Sequence, residues 1–442
     1  MLMRAVDHVA GLRATEFARL DKTDTAYLDY TGAALYPASL VRREMRRLQA
    51  SVRGNPHADS GPSAASTAAT ERARALTLEF TGADPAVYDV VFTANASSAI
   101  RILAEAFPFD RNSRLVLTAD NHNSVNGLAW PARRAKARVA LVPLAADLRG
   151  HDPAPALVRA PGPSLFAFPA QSNFSGVRHP LEWVALAQAR GYRVLLDAAS
   201  FAPGARLDLR VAPADFVALS YYKIFGYPTG VGALIARRDA LMELRRRYFG
   251  GGTVDHVSMP HRLAQRKEGA AGFEDGTVSF LAMDAVGAGL RWMSRLGIDA
   301  VGRHAASMTE RLLEGLRRAG GAVDIYGPGS AVARGGTVAF NVRRDGRIVP
   351  YEAVEAAARD FGVAIRGGCF CNPGAAAQAL GFDPARTRHC LRDGFNLARF
   401  RDCMDGRPVG ALRASVGLAT NETDIARLAE LIARVSAGHL FR

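Results

Sequence analysis

The chain is short of cysteine, of lysine and of long apolar runs, and each shortage removes a class of protein. Four cysteines occur in 442 residues, all in the last fifth: Cys369, Cys371, Cys390 and Cys403. In a large cytoplasmic protein, as this chain is expected to be, they argue against a disulfide framework. Cys369-Phe-Cys371 is one residue tighter than the Cys-x2-Cys spacing that zinc sites use. No apolar run approaches the roughly 18 residues that read as a membrane span. The N-terminus, Met1-Leu-Met-Arg-Ala-Val-Asp-His8, carries charge where a signal peptide needs an apolar core. A cytoplasmic protein is therefore expected. Arginine far outnumbers lysine and the net charge is +14. The basic residues are scattered in short groups such as Arg42-Arg43, Arg133-Arg134 and Arg245-Arg246-Arg247. They read as solvated helix surface, with an acidic partner as the alternative; no nucleic-acid or membrane partner is expected.

What is present is a large folding unit. An apolar fraction of 49% with 22% charged residues is that of a soluble globular protein, and the length suggests two or three lobes. Short apolar runs bounded by turn signals predict buried strands at Asp89–Thr93, Leu115–Thr118, Val139–Pro143, Leu165–Phe168, Val194–Asp197, Phe216–Leu219 and Val231–Ala236. Helical stretches separate several of them, for example Leu181–Arg190. The alternation predicts an α/β sheet flanked by helices. After about residue 285 the texture changes. An amphipathic helix runs through Val301, Met308 and Leu316 to Gly320-Gly321, strands follow at Val338–Val342, Val363–Arg366 and Leu412–Val416, and a last helix, Glu422–Val435, starts after an Asn421 N-cap. This second lobe reads as smaller and α+β. Pro153–Pro163 and Gly327–Gly336 read as loops.

In such sheets, ligands bind beyond the carboxyl ends of the strands, and there the sequence places its chemistry. Lys223 lies between two apolar strands in Ser220-Tyr-Tyr-Lys223-Ile-Phe-Gly. Burial would lower its pKa and make it a nucleophile toward a carbonyl cofactor. Twenty-six residues upstream, Tyr192-Arg-Val-Leu-Leu-Asp197 ends in a carboxylate. A lysine for the aldehyde and an acid for the ring nitrogen are what pyridoxal phosphate needs. Alone, each would read as a loop lysine or a helix cap. Asn95-Ala-Ser97-Ser98 opens a helix whose N-terminus suits a phosphate, or is simply capped. His122 follows another strand and is placed to stack on a flat ring, or is structural. Asn173, in Pro169-Ala-Gln-Ser-Asn173, brings an amide to the same edge.

Longer motifs carry a resemblance. Tyr27-Leu-Asp-Tyr-Thr-Gly-Ala-Ala-Leu-Tyr-Pro37, Gly54-Asn-Pro-His57, Phe168-Pro-Ala-Gln-Ser-Asn-Phe-Ser-Gly176, Lys223-Ile-Phe-Gly-Tyr-Pro-Thr-Gly230, Tyr248-Phe-Gly-Gly-Gly-Thr253, Phe273-Glu-Asp-Gly-Thr277 and Arg366-Gly-Gly-Cys-Phe-Cys-Asn-Pro-Gly-Ala375 resemble the PLP domain of molybdenum cofactor sulfurases. That domain belongs to the class V aminotransferase and cysteine desulfurase superfamily. The likeness runs from about residue 25 to 418. It implies a fold-type-I PLP-dependent homodimer with a large seven-stranded, mainly parallel sheet domain at residues 39–285. A smaller α+β domain would occupy residues 286–442, with residues 1–38 packed on it. By the same resemblance Lys223 would hold pyridoxal 5'-phosphate and Asp197 its ring nitrogen. His122 would stack on the ring, and Asn173 with Ser200 would sit by the ring oxygen. Ser97, Ser98, Ser220 and Tyr222 would bind the phosphate, Tyr222 replacing a histidine common in desulfurases. Thr277 would reach the phosphate of the partner subunit.

The same resemblance assigns the substrate side. Arg413, inside a small-lobe strand, needs an anion and its planar fork fits a carboxylate. The family position clamps the substrate α-carboxylate, the alternative being a structural ion pair. In Arg366-Gly-Gly-Cys369-Phe-Cys371 the second thiol matches the persulfide carrier, and Cys369 is a transfer neighbour or a packed residue. The expected reaction is L-cysteine, or a related amino acid, to L-alanine with sulfur held on Cys371. Two features depart from the family. Ala376 stands where a third cysteine is frequent, and a chain ending at Arg442 has no counterpart of the C-terminal domain that binds the molybdenum cofactor. A separate acidic acceptor protein is therefore expected. The rivals are another class V reaction (C–S lysis, transamination or epimerisation) and a non-catalytic scaffold that docks an acidic partner or nucleic acid.

Overall fold

The computed structural model describes Val9 and residues 11–439; the N-terminal stretch read above, residue 10 and residues 440–442 lie outside the described residues. The first large elements are α1 (Ala38–Ala50) and α2 (Gly61–Phe80). Then strands and helices alternate: β1 (Tyr88–Thr93), α3 (Ala96–Ala106), β2 (Arg114–Thr118), β3 (Arg138–Val142), β4 (Ser164–Pro169), α4 (Trp183–Gln188), β5 (Tyr192–Asp197), β6 (Phe216–Ser220), α5 (Tyr221–Phe225) and β7 (Gly232–Arg237). The seven strands form one sheet in the order β1-β7-β6-β5-β4-β2-β3. Only β7 runs antiparallel to its neighbours; the other pairs are parallel. All seven strand predictions fall on observed strands.

Successive strand residues point to opposite faces, and here both faces are buried. Val116, Phe166, Val194 and Val217 enter a core that includes Ala73 and Leu78 of α2. Their neighbours Leu115, Leu117, Leu165, Leu195 and Phe216 enter a second core with Ala99, Ile100 and Leu103 of α3. This double coverage explains why the strands read as unbroken apolar runs. It also brings the carboxyl ends of β2, β4, β5 and β6 to one edge, where Asp197 lies between Pro169 and Ala218 in register.

Two helices, α6 (Met283–Leu296) and α7 (Ile298–Arg318), lead to the second lobe. Its sheet has the order β8 (Val323–Tyr326), β9 (Thr337–Arg344), β11 (Ala411–Ser415), β10 (Arg366–Gly368), with all pairs antiparallel. Helices α8 (Tyr351–Asp360) and α12 (Glu422–Ser436) cover it; the Asn421 cap of α12 is a full capping box with Asp424.

The structure differs from expectation at three points. The predicted strand Val363–Arg366 is two strands: Val363–Ala364 pairs in parallel with Ala26–Tyr27, and β10 pairs with β11. The helix predicted at Leu181–Arg190 is confined to Trp183–Gln188. The largest correction concerns cysteine. Cys390 and Cys403 form a disulfide, with S–S 2.01 Å. After α9 (Pro373–Ala379), two short helices, α10 (Pro384–Cys390) and α11 (Leu397–Cys403), pack around Phe400 and Met404 and bring the thiols together. The argument from an expected cytoplasmic compartment covers a framework and does not anticipate one local bridge closed by a helical hairpin. Cys369 and Cys371 are free thiols.

Candidate active site

The lysine sits on a short helix rather than in an open turn. Ser220 ends β6, and α5 carries Lys223 directly after it. Tyr221 anchors this helix: its ring is fully buried and its hydroxyl lies 2.7 Å from Thr77 Oγ1. Gly226 stops the helix at φ +79°, and a Cβ there would run into the backbone of Leu35 and Tyr36. Only glycine allows both the left-handed turn and that close approach. Lys223 makes no hydrogen bond or ion pair with the described residues. Burial holds its pKa below the ordinary lysine value, and the nearby Asp197 carboxylate opposes this. Asp197 is itself buried and accepts a hydrogen bond from the Ala199 N–H at 3.0 Å.

The neighbouring strand ends supply the rest. His122 caps the short turn after β2, its Nδ1 accepting from the Ser124 N–H at 3.1 Å. This leaves the neutral ring with its proton on Nε2. Burial lowers the His122 pKa, and Asp197 pulls it back up. Ser97 at the start of α3 is exposed, with Oγ 2.6 Å from Ser124 Oγ. The Ser98 N–H is taken by Asn95, the N-cap of α3. Ser220 Oγ accepts from the Ala96 N–H at 2.9 Å and so ties the lysine strand to that helix. Tyr222 is half-buried, which raises its phenol pKa. Ser200 and Lys223 line one small cavity. Thr277 lies apart on an exposed loop, 3.3 Å from Asn55 Nδ2, so two of the quoted motifs meet there.

The small lobe closes over this edge. Asn173 is buried; its Nδ2 donates to the Phe370 carbonyl (2.7 Å) and its Oδ1 accepts from Asn372 (2.9 Å). The Cys371 carbonyl accepts from the Asn123 N–H at 2.7 Å. The loop bearing both thiols is therefore pinned to the residues beside His122 and Asn173. Cys371 is exposed and Cys369 half-buried. Cys369 Sγ donates to the Val409 carbonyl at 3.0 Å, and burial raises its pKa. Ala376 is buried.

Arg413 is only 3% exposed. Its Nη1 donates to the Asn173 carbonyl and its Nη2 to Asp29, both at 3.0 Å, while Nε is buried without a partner. The same Asp29 is gripped by Arg366, with Nη2 2.6 Å from Oδ2. Asp29, Arg366 and Asn372 were not singled out by sequence reasoning, although each stands in a quoted motif. An acid inside the apolar run Tyr27-Leu-Asp29 and an Asn372-Pro373 helix start were the available signals.

A two-lobed α/β fold with a lysine and a carboxylate at the strand ends defines a class, the fold-type-I pyridoxal phosphate enzymes. The architecture is similar to the apo cysteine desulfurase of Thermococcus onnurineus NA1, with a TM-score of 0.80 and 23% identity over 97% of this chain and 98% of that one. It is also similar to the cysteine desulfurase CsdA of Escherichia coli, with a TM-score of 0.77 and 21% identity over 98% of this chain and 99% of that one. The chain matches the aminotransferase class-V family over residues 26–428, and it belongs to that family. Among curated proteins it is similar to the molybdenum cofactor sulfurases of Arabidopsis thaliana (33% identical, 96% of this chain, 58% of that one) and Bos taurus (36% identical, 97% and 52%). The chain spans about half the length of these relatives. Class V enzymes typically use pyridoxal phosphate, and the residues present fit it. An amine without a partner, a buried carboxylate and hydroxyls at a helix start match its aldehyde, ring nitrogen and phosphate.

Proposed function

We propose that this protein is a cysteine desulfurase-like sulfurtransferase acting on L-cysteine or a closely related amino acid. The observation that carries the reading is the pinning of an exposed thiol loop across the lysine cleft, by Asn173 to Phe370 and by Asn123 to Cys371. A thiol held at the mouth of such a cleft suits sulfur capture. Bound pyridoxal phosphate supplies an electron-withdrawing ring that acidifies the substrate Cα–H.

The residues divide the work. Lys223 holds the cofactor and moves the proton at the substrate Cα. Asp197 would keep the ring nitrogen of the bound cofactor protonated, and His122, Asn173 and Ser200 would hold its ring. Ser97, Ser98, Ser220 and Tyr222 take the phosphate. Thr277 takes the phosphate of the partner subunit, so the working form is a homodimer. Arg413 orients the substrate carboxylate. The Cys371 thiolate attacks the substrate sulfur: an S–S bond forms, the substrate Cβ–S bond breaks, and protonation completes L-alanine. The net change is L-cysteine plus a thiol to L-alanine plus a persulfide. The high positive charge suits an acidic protein as sulfur acceptor.

The test is to incubate purified holoprotein with L-cysteine, quantify alanine, sulfide and pyruvate, and map added sulfur over all four cysteines by mass spectrometry. Alanine with sulfur on Cys371 is expected. Pyruvate without alanine would replace this reading by C–S lysis, and sulfur on another cysteine would move the carrier.

A further inference from the structure

The carboxylate grip of the site already contains a carboxylate. In the β10–β11 ladder Arg366 pairs with Arg413, so the two guanidinium groups project from one face of the sheet. Asp29 enters from the N-terminal segment, which lies along β11: its backbone bridges to Ser415, and the Thr31 N–H donates to Ser415 Oγ at 2.9 Å. The Asp29 carboxylate then spans both arginines, with Oδ1 on Arg413 at 3.0 Å and Oδ2 on Arg366 at 2.6 Å. The fit is tight. A Cβ on Gly32 would come within 2.5 Å of Asp29 Oδ2 and 2.8 Å of Arg366 Nη2. Arg413, Asp29 and Arg366 all act electrostatically on Lys223, so the trio belongs to the lysine cleft.

We infer that Asp29 is a specificity-determining residue that cancels one of the two guanidinium charges. The remaining single positive charge matches a substrate with one carboxylate and an uncharged side chain. It disfavours amino acids that carry a second acid group. Arg413 leaves Nε unused while Arg366 holds Asp29 through both Nε and Nη2. Arg366 thus keeps Asp29 from saturating Arg413. The inference rests on the amino-acid reading above and adds which amino acids the site admits.

The test uses calorimetric titration of the full-length holoprotein with propionate and succinate, probes that lack an amine and need no turnover. A parallel titration with L-cysteine is followed by cofactor absorbance. Wild type is expected to bind succinate no more tightly than propionate. Asp29→Asn keeps the volume and removes the charge, and should tighten succinate about tenfold or more, and propionate clearly less, as a second charge-assisted bond forms. Adding Arg366→Gln should erase that gain. Equal tightening of both acids, or of neither, would overturn the inference and leave Asp29 a structural strut. Should Asp29→Asn not fold, Arg366→Gln alone decides: Asp29 then neutralises Arg413, and propionate should weaken about tenfold. Unchanged affinity overturns the inference. If L-cysteine leaves wild-type absorbance unchanged while Asp29→Asn still gains succinate selectivity, the amino-acid reading fails and the charge cancellation stands. The reverse result removes only the inference.

Discussion

On the large-lobe side of the cleft, Lys223 has no hydrogen-bond or ion-pair partner among the described residues and burial lowers its pKa. On the small-lobe side, Arg413 is more enclosed, only 3% exposed, and is held by Asp29 and by the Asn173 carbonyl. One half of the site is tuned by desolvation and the other by charge balance. The difference has a chemical reason. A lysine must shed its proton to act as a nucleophile, and burial drives that. An arginine stays charged, and its burial is tolerable only with an anion in contact. Changes in the first half should therefore show in proton-dependent behaviour, and changes in the second in substrate affinity.

The sharpest break in this comparison is Lys223→Ala. It removes both the covalent anchor and the group that moves the Cα proton. Turnover of L-cysteine should fall by about 10²–10⁴-fold or more, while protein-bound cofactor, read by absorbance after dialysis, should drop less. A variant within tenfold of wild type would take Lys223 out of the site. Arg413→Ala comes next. Losing a buried charge-assisted contact costs about 2–5 kcal/mol, or roughly 30-fold or more in kcat/KM. The loss should fall mainly on KM, with cofactor content unchanged. Asp29 keeps Arg366 as a partner, so the fold should survive. An unaltered KM would mean that the substrate is not gripped by the small lobe.

A smaller effect separates the halves by pH. Cofactor loading onto apoprotein requires the neutral Lys223 amine, whose fraction climbs as pH rises through its pKa. With that pKa lowered by burial, loading should reach its plateau below the ordinary value of about 10.4. Asp197 raises the Lys223 pKa. Asp197→Asn should therefore move the loading midpoint to lower pH, even if the cofactor is held less tightly. A midpoint that stays put or moves up would show that Asp197 does not act on the lysine.

The same division decided what was legible in the sequence. The strands announce themselves as apolar runs because both sheet faces are covered, and chemistry at their carboxyl ends follows from topology. Lys223, Asp197 and His122 could thus be placed from local pattern. Asp29 and Arg366 could not, because their meeting joins positions 337 residues apart in sequence. No local rule tells which acid a buried arginine will find. The Cys390–Cys403 bridge was invisible for a different reason: it is local, 13 residues apart, but the hairpin that closes it is built from two helices of only seven residues each. Asn95 and Asn421 were legible as caps, and their geometry bears this out: each side chain accepts the N–H three residues on, from Ser98 and from Asp424.

The smallest expected effect tests the thiol loop itself. Cys369 and Cys371 are two residues apart, yet their settings differ. The Cys369 thiol donates to the Val409 carbonyl and is half-buried, and its pKa is raised first by burial and then by the neighbouring Cys371. Cys371 is exposed, and its backbone is fixed at φ +55°. The thiolate is the reactive form, so at neutral pH Cys369 should lag Cys371 in alkylation by iodoacetamide, resolved by peptide mass spectrometry. As pH climbs, the fraction of Cys369 present as thiolate grows and its labelling should accelerate. Cys369→Ser keeps a donor for Val409 and should change desulfuration by about twofold or less and stability by about 0.5 kcal/mol or less. Faster labelling of Cys369 at neutral pH, or a large activity loss in Cys369→Ser, would reverse the assignment within the pair and make the half-buried thiol the sulfur carrier.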